Sequence, residues 1–127
     1  KEALEKAAEF DRCVVVSHSL GTVLAYDVLR EHAAGCNVSH FITMGCPLKK
    51  VVRAGARSND VGAITPDNVG MWRNLYDPRD PVADPIGPVF PGYAVEDVFT
   101  QAGTALLPAH DYWRRDKVVR MIAGYLR

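Results

Sequence analysis

Neither sign of charge prevails in this 127-residue chain, where fifteen Lys and Arg residues balance fifteen Asp and Glu. A balanced surface gives nucleic acid or an anionic membrane no long-range attraction, so neither is expected as a partner. Long apolar runs are missing as well. The longest fall far short of the ~20 residues that cross a bilayer, which excludes a transmembrane helix. Cysteine is scarce: Cys13, Cys36 and Cys46 are odd in number and lack metal-ligand spacing. Reduced thiols in a cytoplasmic protein fit that usage better than a disulfide framework. Cys13, inside an apolar run, reads as a small core residue. No secretory signal, internal repeat or low-complexity tract occurs, and because Lys1 is not a Met, a native beginning upstream is allowed for. With 48% hydrophobic and 24% charged residues, the composition is that of one ordinary globular domain, residues 1–127.

The regular elements alternate. Lys1 to Phe10 reads as the end of an amphipathic helix through Leu4, Ala7 and Ala8. Arg12 to Ser17 is an apolar strand without alternation, which predicts burial on both faces, as in a parallel sheet. Ser19 to about His32 has helical spacing, with Leu20, Val23, Leu24, Val28 and Leu29 expected on the buried face, and Gly35 fits its stop. Val38 to Met44 is a second strand, closed by Gly45-Cys46-Pro47. Lys49 to Arg57 is a short basic stretch, a helix or part of a flap. Met71 to Tyr76 is a third strand and Ala94 to Gln101 a fourth, separated by a loop broken at Pro78, Pro81, Pro85, Pro88 and Pro91. Trp113 to Leu126, with Val118, Val119, Ile122 and Tyr125 on one side, closes the chain as a helix. This order predicts an α/β fold, a parallel sheet flanked by helices.

The chemistry concentrates at Ser17-His18-Ser19-Leu20-Gly21, between the first strand and its helix. Small residues at both flanks, with Ser at the centre of a strand-to-helix turn, make a nucleophile elbow. Such a turn allows close backbone approach and lifts the Ser19 hydroxyl above the sheet. It also puts the Leu20 amide at a helix N-terminus, where partial positive charge suits an oxyanion. Ser19 could alternatively serve only as a helix cap.

A serine hydroxyl is a poor nucleophile at neutral pH and needs a base, usually a histidine oriented by a carboxylate. Elbow-type sites take their partners in the order Ser, acid, His, on loops after later strands. Asp80 follows the third strand and His110 follows the fourth, in that order. Asp77, Asp84 and Asp97 are rival acids, Asp77 the nearest. Asp77, Asp80 and Asp84 could also suggest a calcium loop, but the prolines and the lack of a closing Glu argue against one. His18, beside the nucleophile, is expected to border the substrate cleft rather than act as base. His32 and His40 read as surface or strand residues. Lys49, Lys50, Arg53 and Arg57 read as a solvated face, with contact to an anionic leaving group as the alternative. Trp72, Tyr112, Trp113 and Tyr125 read as core or cleft packing.

From Asp11 to Arg127 the chain resembles the C-terminal half of an α/β-hydrolase of the lipase and esterase branches. Ser17-His18-Ser19-Leu20-Gly21-Thr22 is similar to their Gly-His-Ser-Leu-Gly-Gly elbow, with Ser17 in the place of a Gly. Gly45-Cys46-Pro47 is similar to the Gly-Ser-Pro or Gly-Thr-Pro after their sixth strand. Asp80-Pro81-Val82 matches their acid loop, and His110 before an aromatic stretch and a last helix matches their histidine. The resemblance implies a serine hydrolase cleaving small-molecule carboxylic esters through Ser19, His110 and Asp80, with no metal or organic cofactor. Amide or thioester hydrolysis, or a catalytically silent binding or scaffold module, are the alternatives. The strands that precede the elbow in the family, and the loop that gives the second oxyanion amide, have no counterpart here. One missing donor costs ~2.7–4 kcal/mol of transition-state stabilisation. Strand Cys13 to Val16 is therefore expected to pair with a missing N-terminal half or with a second copy.

Overall fold

The computed structural model describes residues 2–32, 35–55, 69–101 and 108–126. Four strands form one sheet in the order β1-β2-β3-β4, all parallel: β1 is Cys13–His18, β2 Val38–Met44, β3 Val69–Tyr76 and β4 Val95–Phe99. Parallel neighbours need a crossover between each pair. The first crossover is the helix α2 (Gly21–His32), which follows β1 directly. A short helix α1 (Glu2–Ala7) precedes the sheet, α3 (Leu48–Arg53) follows β2, and α4 (Asp116–Tyr125) closes the fold. The expected α/β architecture is present.

Alternation along the central strands builds two cores. In β2, Phe41 points to the layer of Val23, Tyr26 and Leu29 of α2 and Leu48 of α3, which also takes in Leu4 of α1, Trp72 of β3 and Phe90. Its neighbour Ile42 points the other way, into a cluster with Met44, Leu75, Tyr112, and Val118 and Ile122 of α4. Trp72 is the hub of the first layer, with ring centroids 5.1 Å from Phe41, 4.9 Å from Phe90 and 5.7 Å from Tyr26. Burial of each such side chain stabilises by roughly 1.5–3 kcal/mol. A polar residue inside a parallel strand needs full satisfaction, and Asn74 has it. Its Oδ1 accepts from Thr43 Oγ1 at 3.0 Å, and its Nδ2 donates to Asp84 O at 2.9 Å and Asp97 Oδ1 at 2.7 Å.

Three details depart from the periodic reading. The β1 valines are half-buried rather than enclosed on both faces, because among the described residues β1 lies at the sheet edge with β2 as its one neighbour. The buried face of α2 is Thr22, Val23, Tyr26 and Leu29, whereas Leu20 and Leu24 are 66% and 64% exposed. Hydrophobic spacing alone allowed either stripe; the bulk of Tyr26 against Trp72 and Phe90 decides it. In α4, Val118 and Ile122 are buried but Val119 faces outward. Gly35, with φ +92°, has the left-handed backbone expected after the α2 helix. Lys1 and Arg57 lie outside the described residues, as does the rest of 56–68.

Candidate functional site

The carboxyl ends of β1, β2 and β3 share one rim of the sheet. β1 runs into α2 through Ser19, whose φ is +55°, the one positive value at a non-glycine among the described residues. An L-residue is strained there by roughly 1–3 kcal/mol and stays only when its surroundings hold it. Here the Ser19 N–H donates to Met44 O at 2.9 Å, at the end of β2. The Ser19 carbonyl accepts twice from Thr22, from its N–H at 2.9 Å and its Oγ1 at 2.7 Å. The hydroxyl of Thr22 braces the turn through that carbonyl, and the Ser19 hydroxyl meets His110 instead. Of the expected small flanks, Ser17 is buried, with Oγ 3.5 Å from Ile42 O. At Gly21 a β-carbon would meet nothing within 4 Å, so no steric demand exists on that open side of the turn.

The three residues expected to converge do so. His110 Nε2 lies 3.0 Å from Ser19 Oγ, and His110 Nδ1 lies 2.8 Å from Asp80 Oδ2. The side chain of Asp80 is wholly buried, while that of His110 is 28% exposed. A carboxylate only accepts, so Nδ1 carries the proton and Nε2 presents its lone pair to the Ser19 hydroxyl. That tautomer suits general-base work. The second oxygen of Asp80 accepts from Val82 N–H at 2.9 Å, and the turn is closed by Asp80 N–H donating to Asp77 O at 2.9 Å.

The rival acids are engaged elsewhere. Asp77 is held by Arg79, whose Nε and backbone N–H each donate to Oδ1 at 3.0 Å while Nη2 donates to Oδ2 at 2.8 Å. Asp84 pairs with Lys50 and lies 3.7 Å from Lys49. Asp97 accepts from Ile86 N–H and Gly87 N–H, both at 2.9 Å, besides Asn74. The three loop aspartates thus serve three different partners and do not form a calcium loop. Lys49 and Lys50 are likewise tied to Asp84, not held free for a leaving group.

His18 stands beside His110 and has a task of its own. Its Nε2 donates to the backbone oxygen of His110 at 2.9 Å, with the two ring centroids 4.6 Å apart. His40 instead stacks on Tyr125 at 5.1 Å, and its pKa is lowered by burial first and by Arg73 and Arg12 next. Half-exposed Trp113 edges His18 at 6.5 Å.

Two site residues escaped the sequence reading. Gly45, with φ +58°, ends β2 where the His110 ring passes; a β-carbon there would sit 2.7 Å from Cε1 and 2.9 Å from Nδ1. The signal was the Gly before Cys46-Pro47, which reads as a strand end and a family landmark but not as room for the histidine. Tyr112, read as packing, donates its hydroxyl to Asp80 Oδ2 at 3.0 Å. Cys46 is enclosed nearby, and burial pushes its thiol up to about 11, which leaves it unreactive at neutral pH.

Two cavities, of about 350 and 370 Å³, flank α1, and neither is lined by Ser19, Asp80 or His110. Among the described residues no group of three or more His, Cys, Asp or Glu side chains could hold a metal ion. Among them, too, no helix is long and apolar enough to cross a membrane. Comparison with family models, with curated proteins and with solved structures finds no match to this chain.

Proposed function

We propose that the protein is a serine hydrolase of the α/β-hydrolase kind that cleaves small-molecule carboxylic esters by acyl transfer. The observation that carries this reading is the unbroken line Ser19 Oγ, His110 Nε2, His110 Nδ1, Asp80 Oδ2, with links of 3.0 and 2.8 Å. In this reading Ser19 Oγ attacks the ester carbonyl carbon as its proton passes to His110 Nε2. The Leu20 amide, at the start of α2, donates to the oxyanion that forms. Collapse breaks the bond to the alcohol oxygen, which takes the proton back from Nε2, and water then repeats the sequence on the acyl-enzyme. Asp80 keeps the ring in one tautomer and stabilises its charged form.

Strain at Ser19 supports catalysis over a scaffold role, because a cap alone requires no left-handed serine. The same reading places the protein in the cytoplasm, with reduced cysteines and no nucleic-acid partner. It also gives β1 a further strand as neighbour, from a second copy or another segment of chain.

A fluorophosphonate probe tests the proposal. Covalent labelling of the protein, abolished in Ser19→Ala, is expected, together with turnover of p-nitrophenyl esters. No labelling of the intact protein would return the fold to a binding or scaffold role, and preference for amides or thioesters would change the substrate class.

A further inference from the structure

The buried carboxylate of Asp80 has one donor more than the histidine and the turn require. Oδ1 accepts from Val82 N–H, while Oδ2 accepts from both His110 Nδ1 at 2.8 Å and Tyr112 Oη at 3.0 Å. The direction of the tyrosine bond is fixed by a backbone group. Asp77 N–H donates to Tyr112 Oη at 3.0 Å, so the hydroxyl proton is turned to Asp80. Tyr112 is fully buried. Burial first, and the charge of Asp80 second, push its phenol well above the usual range, so it remains a donor at any working pH.

We propose that Tyr112 is a positioning residue of the triad: its hydroxyl shares Asp80 Oδ2 with His110 and so sets how strongly the carboxylate holds the imidazolium. A carboxylate oxygen that serves two donors gives less of its charge to each. Removal of the phenol hydroxyl therefore leaves Oδ2 to His110 alone and favours the charged ring. Among the described residues, the ionisable groups that meet that ring or its carboxylate are Asp80, Tyr112 and the His18 ring at 4.6 Å, and Tyr112 is held in turn by the Asp77 amide. The inference rests on the hydrolase reading, but its spectroscopic arm stands apart from turnover.

The test compares the full protein, Tyr112→Phe, and a form carrying 3-fluorotyrosine at position 112. Two quantities are followed against pH: the rate of Ser19 labelling by a fluorophosphonate, and the NMR resonance of the proton on His110 Nδ1. In Tyr112→Phe the acid limb of labelling is expected to rise by about half a pH unit, with a downfield move of the Nδ1 proton. The fluorinated phenol is a stronger donor and is expected to move both readouts the opposite way. Slower labelling with an unmoved limb and resonance in both forms would reduce Tyr112 to packing and overturn the proposal. Should Tyr112→Phe fail to fold, the fluorinated form, which keeps ring and hydroxyl, decides alone. Absence of any labelling would defeat the hydrolase reading, while a shifted Nδ1 resonance would still support the coupling and an unshifted one would refute it.

Discussion

Ser19 is where stability and chemistry pull against each other. Its φ of +55° is unfavourable for any residue with a β-carbon, and the bonds from Met44 and Thr22 hold it there. Glycine meets no such penalty. Ser19→Gly is therefore expected to be more stable than Ser19→Ala by about 1 kcal/mol, the reverse of their order inside a helix. Both variants should lose fluorophosphonate labelling. Urea unfolding of the pair measures the difference, and an alanine variant at least as stable as the glycine one would remove strain from the account. The spacing Ser-x-Ser-x-Gly predicts this turn from the chain alone. That the Thr22 hydroxyl braces the turn through the Ser19 carbonyl is a matter of rotamer and distance, which spacing does not encode.

At the scale of elements, the site depends on how closely the end of β2 approaches the histidine loop. Gly45 leaves room for the imidazole, since a β-carbon would lie 2.7 Å from Cε1. Gly45→Ala must push the ring away from Asp80 or Ser19 and also bear a left-handed backbone of φ +58°. A loss of labelling rate of at least ~100-fold is expected, in keeping with what misplacement of about 1 Å costs. The sheet should persist by circular dichroism; near-normal labelling would show that the loop yields instead. The elements themselves were largely legible. Strand β2 runs from Val38 to Met44, as its Phe, Ile and Val content and the Gly-Cys-Pro stop indicate. Asp80 was separable from Asp77 only through the family pattern of Asp80-Pro81-Val82, because the decisive fact is the fork of Arg79 closing over Asp77. The α2 stripe was misread because Leu20 and Leu24 fit a helical period as well as Tyr26 does, and periodicity carries no information on which neighbours exist. Tyr112 was invisible for a related reason: two residues beyond His110, it reads as bulk until its hydroxyl is seen between Asp77 and Asp80.

Among the described residues the sheet has two unpaired edges of unlike character. β4 is short, five residues, and its Glu96 and Asp97 are spent within the fold, on Arg73 and on Asn74 with the Ile86 and Gly87 amides. β1 has six residues, Cys-Val-Val-Val-Ser-His, with no acidic residue, Lys or Arg among them. Along it Cys13 N–H donates to Asn37 O at 2.8 Å and Ser19 N–H to Met44 O, so odd-numbered residues face β2. Backbone groups of successive residues alternate between the two sides of a strand, which turns Val14, Val16 and His18 outward. Beside them run the apolar side chains of Leu24, Ala25 and Val28 on α2 and Ala3 and Ala7 on α1, the walls of the 370 Å³ cavity. An edge of this kind is a template for a further strand, and the proposed pairing makes a residue-specific forecast. In hydrogen exchange on the intact protein, the Val14 and Val16 amides should be protected alongside Val15 and Ser17, the last two by β2. Were Val15 and Ser17 protected while Val14 and Val16 exchanged as freely as in an unstructured peptide, in a protein sedimenting as a monomer, β1 would be a true solvent edge. The half-burial of its valines would then be the final state of the fold, and Ser19 would stand at the end of an outermost strand.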